Sequence, residues 1–135
     1  MLQIVMSVGS ITADTSLPYA AASFNKVLSV DAAYHFKTRE KFISEASRTL
    51  VVGGSLVVAD MILCGPFHLL SCWQRICLRV VATAVGIPLV NMVDENEYVE
   101  MLHRHGFGTQ CFSDRFRPTS SSSLIKVSYE WLSRV

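Results

Sequence analysis

The sequence predicts an α/β fold built on a largely parallel sheet, and three observations lead there. Short apolar runs with β-branched residues alternate with stretches of helical periodicity, in the order strand, strand, helix, strand, helix, helix, strand. Each of the first three apolar runs is followed at once by glycine or aspartate: Gly9 after residues 2–8, Asp31 after 24–30, Asp60 after 55–59. Half of the 135 residues are hydrophobic and 17% are charged, enough for a core and too apolar for a disordered chain. That length is one domain or part of one.

Residues 2–8 read as a buried strand, ended by Gly9-Ser10. Residues 12–23 are turn-rich and contain Leu17-Pro18-Tyr19, so a loop follows. The run 24–30 is apolar at most positions, which predicts a strand covered on both faces. Thr38 suits a helix N-cap, with Glu40 in the first turn where a negative charge favours the dipole. Phe42, Ile43, Ala46 and Leu50 then recur at helical spacing, away from Lys41, Glu45 and Arg48. Gly53-Gly54 stops that element, residues 55–59 form the next strand, and Asp60 falls just past its end.

Pro66 is placed to open a helix running to about residue 85, closed by Gly86 and Pro88. Its surface is broadly apolar, with Phe67, Leu70, Trp73, Ile76 and Val80. Asp94 and Glu97 have capping-box spacing for a further helix with Tyr98, Met101 and Leu102 on one stripe, ended by Gly106. Residues 109–112 make a short strand, 119–123 a serine loop, and 124–132 suit either strand or helix. Parallel sheets receive their ligands beyond the carboxyl ends of the strands. The positions of interest are therefore Gly9-Ser10, 31–36 and 60–63.

Several classes of function are disfavoured. The formal net charge is +1 with both signs interspersed, so no basic stripe tracks a nucleic-acid backbone. Cys64, Cys72, Cys77 and Cys111 form no C-x-x-C pair and read as reduced, buried thiols of an intracellular, cytoplasmic protein. Cys64, His68 and Cys72 recur every four residues, but Pro66 interrupts them and a fourth metal ligand is absent, so no metal is expected. The apolar start of the chain has no basic region ahead of it and is cut by the polar run 10–16, unlike a signal peptide. Across residues 61–93, Gln74, Arg75 and Arg79 fall mid-segment, which argues against a membrane span.

An ordered set of segments carries a family resemblance. Leu17-Pro18-Tyr19 leading to Ser23-Phe24-Asn25-Lys26-Val27 resembles the approach to the fourth strand of class I S-adenosylmethionine-dependent methyltransferases, which in the small-molecule branch commonly reads Leu-Pro-Phe and then Phe-Asp. Ser29-Val30-Asp31-Ala32-Ala33-Tyr34-His35-Phe36 is similar to the strand end and turn of O-methyltransferases acting on sugars and related metabolites. Arg48-Thr49-Leu50-Val51-Val52-Gly53-Gly54 resembles the family's Arg-x-Leu-x-Pro-Gly-Gly, and residues 56–60 its fifth strand. Residues 94–107 look like the later helix that ends in Gly-Phe.

The resemblance implies a partial Rossmann-like sheet with flanking helices, the C-terminal part of one methyltransferase domain over residues 1–135, with a helical lid or insertion at about 66–93. It implies S-adenosyl-L-methionine as cofactor and a small-molecule methyl acceptor. Ser10 and Ile11 would meet the adenine, and Asp31 and Ala32 the methionine portion. His35 would be the general base, suited by a pKa near neutrality, and Asp60 its partner. Tyr34 and Trp73 would face the acceptor. The plainer structural reading of His35 is a turn histidine, of Asp60 a strand-end or capping carboxylate, and of Tyr34 a core ring. The departures are equally specific. The N-terminal cofactor-binding strands and their glycine-rich turn are missing ahead of residue 2, as is the acid that binds the ribose. Ser10 stands for the usual Asp, with Asp14 displaced, Val52 for Pro, and Asn25 for Asp. These departures lead us to expect weak cofactor binding by the chain alone. They also keep open a non-catalytic remnant, acting as a dimer or paired with a complete methyltransferase.

Overall fold

The computed structural model describes residues 17–30, 33–113 and 125–135, the strands at 109–113 and 125–132 by backbone alone. The strand expected at 2–8, Gly9-Ser10, Asp14 and the serine loop lie outside the described residues. The elements are β1 (Phe24–Val30), a 3-10 turn (Ala33–His35), α1 (Arg39–Thr49), β2 (Leu50–Leu63), a 3-10 turn (Phe67–Leu69) and α2 (Cys72–Val85). A third such turn (Leu89–Asn91), α3 (Glu95–Arg104), β3 (Phe107–Ser113) and β4 (Ile125–Arg134) complete them. Of the stretch at 124–132 that suited either structure, the described part, from Ile125, is a strand.

The strands form one sheet in the order β1-β2-β4-β3. β1 pairs parallel with β2, while β4 runs antiparallel to both β2 and β3. The sheet is therefore mixed rather than all of parallel type, with β4 the reversed strand. β4 follows β3 in the order of elements and pairs antiparallel with it, an arrangement that needs no crossover.

α1 and α3 cover one face. Leu56, Val58 and Ile62 alternate along β2 toward Ile43 and Ala46 of α1 and Tyr98, Met101 and Leu102 of α3, with Leu50 and Phe107 at the margins. The period of two on the strand and of 3.6 on the helices makes these residues meet. Each such side chain contributes roughly 1.5–3 kcal/mol by leaving water. The other face is different. Leu28 is 69% and Val30 56% exposed, so β1 is not covered on both faces among the described residues.

Gly53-Gly54 lies inside β2, where the pairing with β1 shifts register. α1 has already ended at Thr49. Gly53 has φ +78°, a left-handed value that costs a residue with a Cβ. Gly54 is needed for space: a Cβ there would lie 2.8 Å from the Val51 carbonyl oxygen and 3.1 Å from that of Asn25.

The helix expected at 66–85 starts later. Pro66 precedes only a short 3-10 turn, and α2 begins at Cys72. Ser71 and Gln74 form its capping box, Ser71 Oγ accepting from the Gln74 N–H at 3.2 Å and Gln74 Oε1 from the Ser71 N–H at 2.9 Å. Cys64, His68 and Cys72 thus share no helix face. Cys64 and Cys72 are exposed and Cys77 half-buried, which corrects the expectation of buried thiols. α2 buries Leu78 and Ala82 and leaves Trp73, Val80, Val81 and Val85 exposed. No helix among the described residues is long and apolar enough to cross a membrane.

α3 begins as its sequence indicates. Asp94 Oδ1 accepts from the Glu97 N–H at 2.9 Å, and Glu97 Oε2 from the Asp94 N–H at 3.2 Å. Gly106, at φ +80°, turns the chain into β3. Gly106-Phe107-Gly108 has Gly-x-Gly spacing, but it joins a helix to a strand, the reverse of the strand-to-helix turn that cradles a cofactor.

A second anchor ties the approach to β1 onto α1. Arg48 donates to both Glu45 carboxylate oxygens, at 3.0 and 2.8 Å, and to the carbonyls of Tyr19 and Leu17 at 2.8 and 3.0 Å. Glu45 also accepts the Leu17 N–H at 2.8 Å. The hydrogen bond from Arg48 holds the Glu45 carboxyl below its usual 4.5, against burial, helped by the Leu17 N–H and the charges of Arg48 and Lys41. A depressed carboxylate pKa stabilises the fold above its unfolded value and is lost as pH falls through the folded one. Stability of the chain should therefore decline as pH drops below 4.5, and Glu45→Gln should flatten that decline. Urea titrations of both proteins across this range check it. Parallel curves would reject the anchor.

Candidate functional site

The site is built at the carboxyl end of β1. Beyond Val30 lies the 3-10 turn Ala33–His35, where Ala33 is fully buried and His35 exposed. The Tyr34 ring lies 4.3 Å from the imidazole, tilted by 42°. His35 Nδ1 faces the carbonyl oxygen of Gly86 at 3.5 Å. A carbonyl only accepts, so this contact favours the tautomer with hydrogen on Nδ1 and leaves the Nε2 lone pair as the basic position. Gly86 presents that carbonyl because it closes α2 at φ +72°, the left-handed cap that glycine adopts without strain.

The turn is gripped from a second side by Asn91, which is 2% exposed. Asn91 Nδ2 donates to the carbonyls of Tyr34 and Phe36, at 3.0 and 2.5 Å. Its Oδ1 accepts the Arg39 N–H at 2.8 Å. Thr38, the expected N-cap of α1, makes no side-chain capping bond. Asn91 satisfies an orphan N–H of that helix end instead, from another part of the chain.

Asp60 lies within β2, not past its end, and is fully buried on the face covered by α1 and α3. Arg39 Nε sits 3.0 Å from Asp60 Oδ2, and Arg39 Nη2 donates to the Met61 carbonyl at 2.8 Å. The guanidinium is 5.1 Å from the centre of the Tyr98 ring, a cation–π distance. Asp60 Oδ1 accepts the Met61 N–H at 3.0 Å. The structure thus brings Asp60 to Arg39 and His35 to Gly86. A solvent-facing turn holds one member of the expected dyad and the core holds the other.

Tyr34 is half-buried and borders a cavity of about 10 Å³, with Arg39, Met61, Asn91 and Met92 also on its wall. That is room for one water. Met92 also borders an open cleft of about 300 Å³ lined by Phe67, Arg79, Leu89, Val90, Val93 and Glu97. Trp73, 72% exposed near the start of α2, borders neither. Ser10, Ile11, Asp31 and Ala32 lie outside the described residues. Among the described residues no cluster of three or more His, Cys, Asp or Glu is placed to hold a metal ion.

Arg39 and Asn91 were not among the residues singled out from the sequence. Arg39 had a readable oddity: a cation in a helix's first turn opposes the dipole and needs a compensating partner. Asn91 had no local signal, since its three bonds reach residues 52 to 57 positions away.

Comparison with known proteins gives a consistent answer. Residues 3–58 match the family described as Methyltransferase domain. Over 101 residues the chain is 31% identical to erythromycin 3''-O-methyltransferase of Saccharopolyspora erythraea, covering 69% of this chain and 31% of that protein. The chain thus spans about a third of the curated relative's length. Geranyl diphosphate C-methyltransferase from Streptomyces coelicolor, solved with S-adenosyl-L-homocysteine, superposes with a TM-score of 0.65 at 16% identity, over 92% of this chain and 50% of that one. The [4+2]-cyclase SpnF superposes with a TM-score of 0.64 at 13% identity, over 93% and 54%. At such identities the structures share the fold alone.

Proposed function

Because the chain belongs to the class I S-adenosylmethionine-dependent methyltransferase family, we propose that it takes part in transferring a methyl group to a hydroxyl of a small-molecule acceptor. The choice of oxygen is supported by the erythromycin O-methyltransferase relative. The observation that carries the reading is His35. It stands in an exposed turn just beyond the carboxyl end of β1, with Nδ1 against the Gly86 carbonyl and Nε2 left basic. Ligands of parallel sheets bind at that end.

The fit of the cofactor turns on the same place. Val30 is 56% exposed and His35, in the turn Ala33–His35, faces solvent, so this end of the strand is open to a ligand among the described residues. Asp31 and Ala32 would hold the methionine portion there, and Ser10 and Ile11 the adenine. When bound, S-adenosyl-L-methionine supplies an electrophilic methyl on a sulfonium centre. The chain's own task is to bring an acceptor hydroxyl to that side and take its proton at His35 Nε2. Tyr34, its ring tilted against the imidazole, would border the acceptor, and Trp73 would cover it from α2. Asp60 would act on the site from within β2, through the Arg39 pair that anchors the start of α1. The reading places this chemistry in the cytoplasm, with a small acceptor as the partner.

The test is calorimetric titration of the purified chain with S-adenosyl-L-homocysteine. Among the described residues no glycine-rich turn opens a helix, so binding by these residues alone should be weaker than micromolar. Linking the chain to the cofactor-binding N-terminal part of the erythromycin O-methyltransferase should restore affinity and methyl transfer. A linked protein that binds the cofactor yet methylates no hydroxyl acceptor would sink the proposal.

One observation favours a second reading, a non-catalytic partner of a complete methyltransferase. Leu28 and Val30 leave an apolar β1 face open. In that reading the linked protein binds neither cofactor nor acceptor, and the chain migrates with the complete enzyme in gel filtration.

A further inference from the structure

We propose that Asn91 is a positioning residue for His35, holding the turn that carries the imidazole through the two carbonyls on either side of it. The inference rests on the assignment of His35 as base and adds a residue to it. Asn91 Nδ2 donates to Tyr34 O at 3.0 Å and to Phe36 O at 2.5 Å, so both flanks of His35 are tied to one amide. Its Oδ1 accepts the Arg39 N–H at 2.8 Å, which fixes the start of α1 to the same point. All three polar functions of the side chain are used, and it is 2% exposed. Asn91 itself is fixed, since its N–H donates to the Pro88 carbonyl at 2.9 Å.

The geometry does more than stiffen a loop. Gly86, which faces His35 Nδ1, and Asn91 belong to one short stretch after α2. That stretch grips the backbone of the turn with Asn91 and sets the imidazole tautomer with Gly86. Releasing the Asn91 bonds frees the turn to drift from the Gly86 carbonyl. The Nδ1 hydrogen then loses its acceptor, and the basic nitrogen is no longer fixed as Nε2.

Asn91→Asp is the discriminating variant. It keeps the side chain's shape and the acceptor for Arg39, but points an oxygen at two carbonyls. In the 135-residue chain with ¹⁵N-labelled histidine, the unmodified protein should show His35 protonated on Nδ1, and Asn91→Asp should shift it toward the other tautomer. Amide exchange at Phe36 should quicken by about tenfold or more, the worth of a lost hydrogen bond, with the Arg39 amide, whose acceptor is kept, and the β2 amides unchanged. An unaltered tautomer, or faster exchange spread evenly over the chain, would overturn the proposal. If the variant does not fold, native-state exchange of the unmodified chain decides. The Arg39 amide should open together with those of Asn91 and Met92, and independent opening refutes the link. In the linked protein, Asn91→Asp should lower kcat by about 10²-fold, the cost of misplacing a catalytic group, with acceptor KM nearly unchanged. If the tautomer and exchange effects hold while His35→Ala leaves turnover intact, the base assignment fails and the positioning stands.

Discussion

Arg39→Ala should cost the chain ~3–5 kcal/mol, because it leaves Asp60 buried without its counter-ion. Arg39 and Asp60 are 1% and 0% exposed and 3.0 Å apart, and water entering the space left by Arg39 would supply hydrogen bonds but not the lost charge. The truncation also removes the hydrogen bond to the Met61 carbonyl and the contact over Tyr98. Against a typical stability of about 5–15 kcal/mol, this is a large share, equivalent to roughly 10–20 °C in melting temperature. Asp60→Asn should also be costly, since it keeps the side chain's shape but leaves the buried Arg39 guanidinium, which cannot shed its charge, without a counter-ion. The informative variant is the double replacement Arg39→Met with Asp60→Leu. Breaking a buried pair is costly, whereas replacing both members by apolar groups is often near neutral. The double should therefore melt above Arg39→Ala, a non-additivity that a mutant cycle measures directly. If Arg39→Ala unfolds within about 1 kcal/mol of the parent, the pair is not what anchors α1 to the sheet.

That pair explains why the site was only half legible in the sequence. Asp60 was readable as a carboxylate at the end of an apolar run, and position alone placed it beside the base. What the run could not show is where the strand ends. β2 continues to Leu63 because β4 pairs with it as far as Leu63↔Ile125, a contact made across more than sixty residues. The same antiparallel pairing settled residues 124–132, whose local pattern suited two structures. α3, by contrast, was readable in full, since Asp94 and Glu97 signal its start and Gly106 its end from adjacent positions.

α2 was misplaced by a local competition. Pro66 is a valid helix opener, but Ser71 and Gln74 form a capping box five residues later, and the box prevailed. A proline fixes only one dihedral, whereas a box satisfies two orphan N–H groups. The family segments were legible one by one, and the fold shows why two of them occur together. Arg48, from the segment ending in Gly53-Gly54, binds the carbonyls of Leu17 and Tyr19 from the segment leading into β1. These two pieces of sequence are a single physical contact.

His35→Ala should lower turnover by about 10²–10⁴-fold, the usual contribution of a general base, in the linked protein that restores methyl transfer. Cofactor affinity should hardly change, because the imidazole takes a proton from the acceptor and lends nothing to the sulfonium. Stability should hardly change either. His35 is exposed, and its polar contact to Gly86 is long, so little is lost when the ring goes. Asp60→Asn makes the complementary case. If Asp60 supports the base, its turnover falls by more than its stability predicts, and the double variant with His35→Ala is little worse than His35→Ala alone, since groups acting as a unit are non-additive. If Asp60 serves only the Arg39 pair, Asp60→Asn loses activity in step with melting temperature, and the two variants combine additively. Measuring kcat, cofactor affinity and melting temperature for both singles and the double separates these cases. A His35→Ala protein that keeps most of its turnover would remove the base from the mechanism altogether. The Gly86 contact would then be only a turn anchor, and deprotonation of the acceptor would fall to another group.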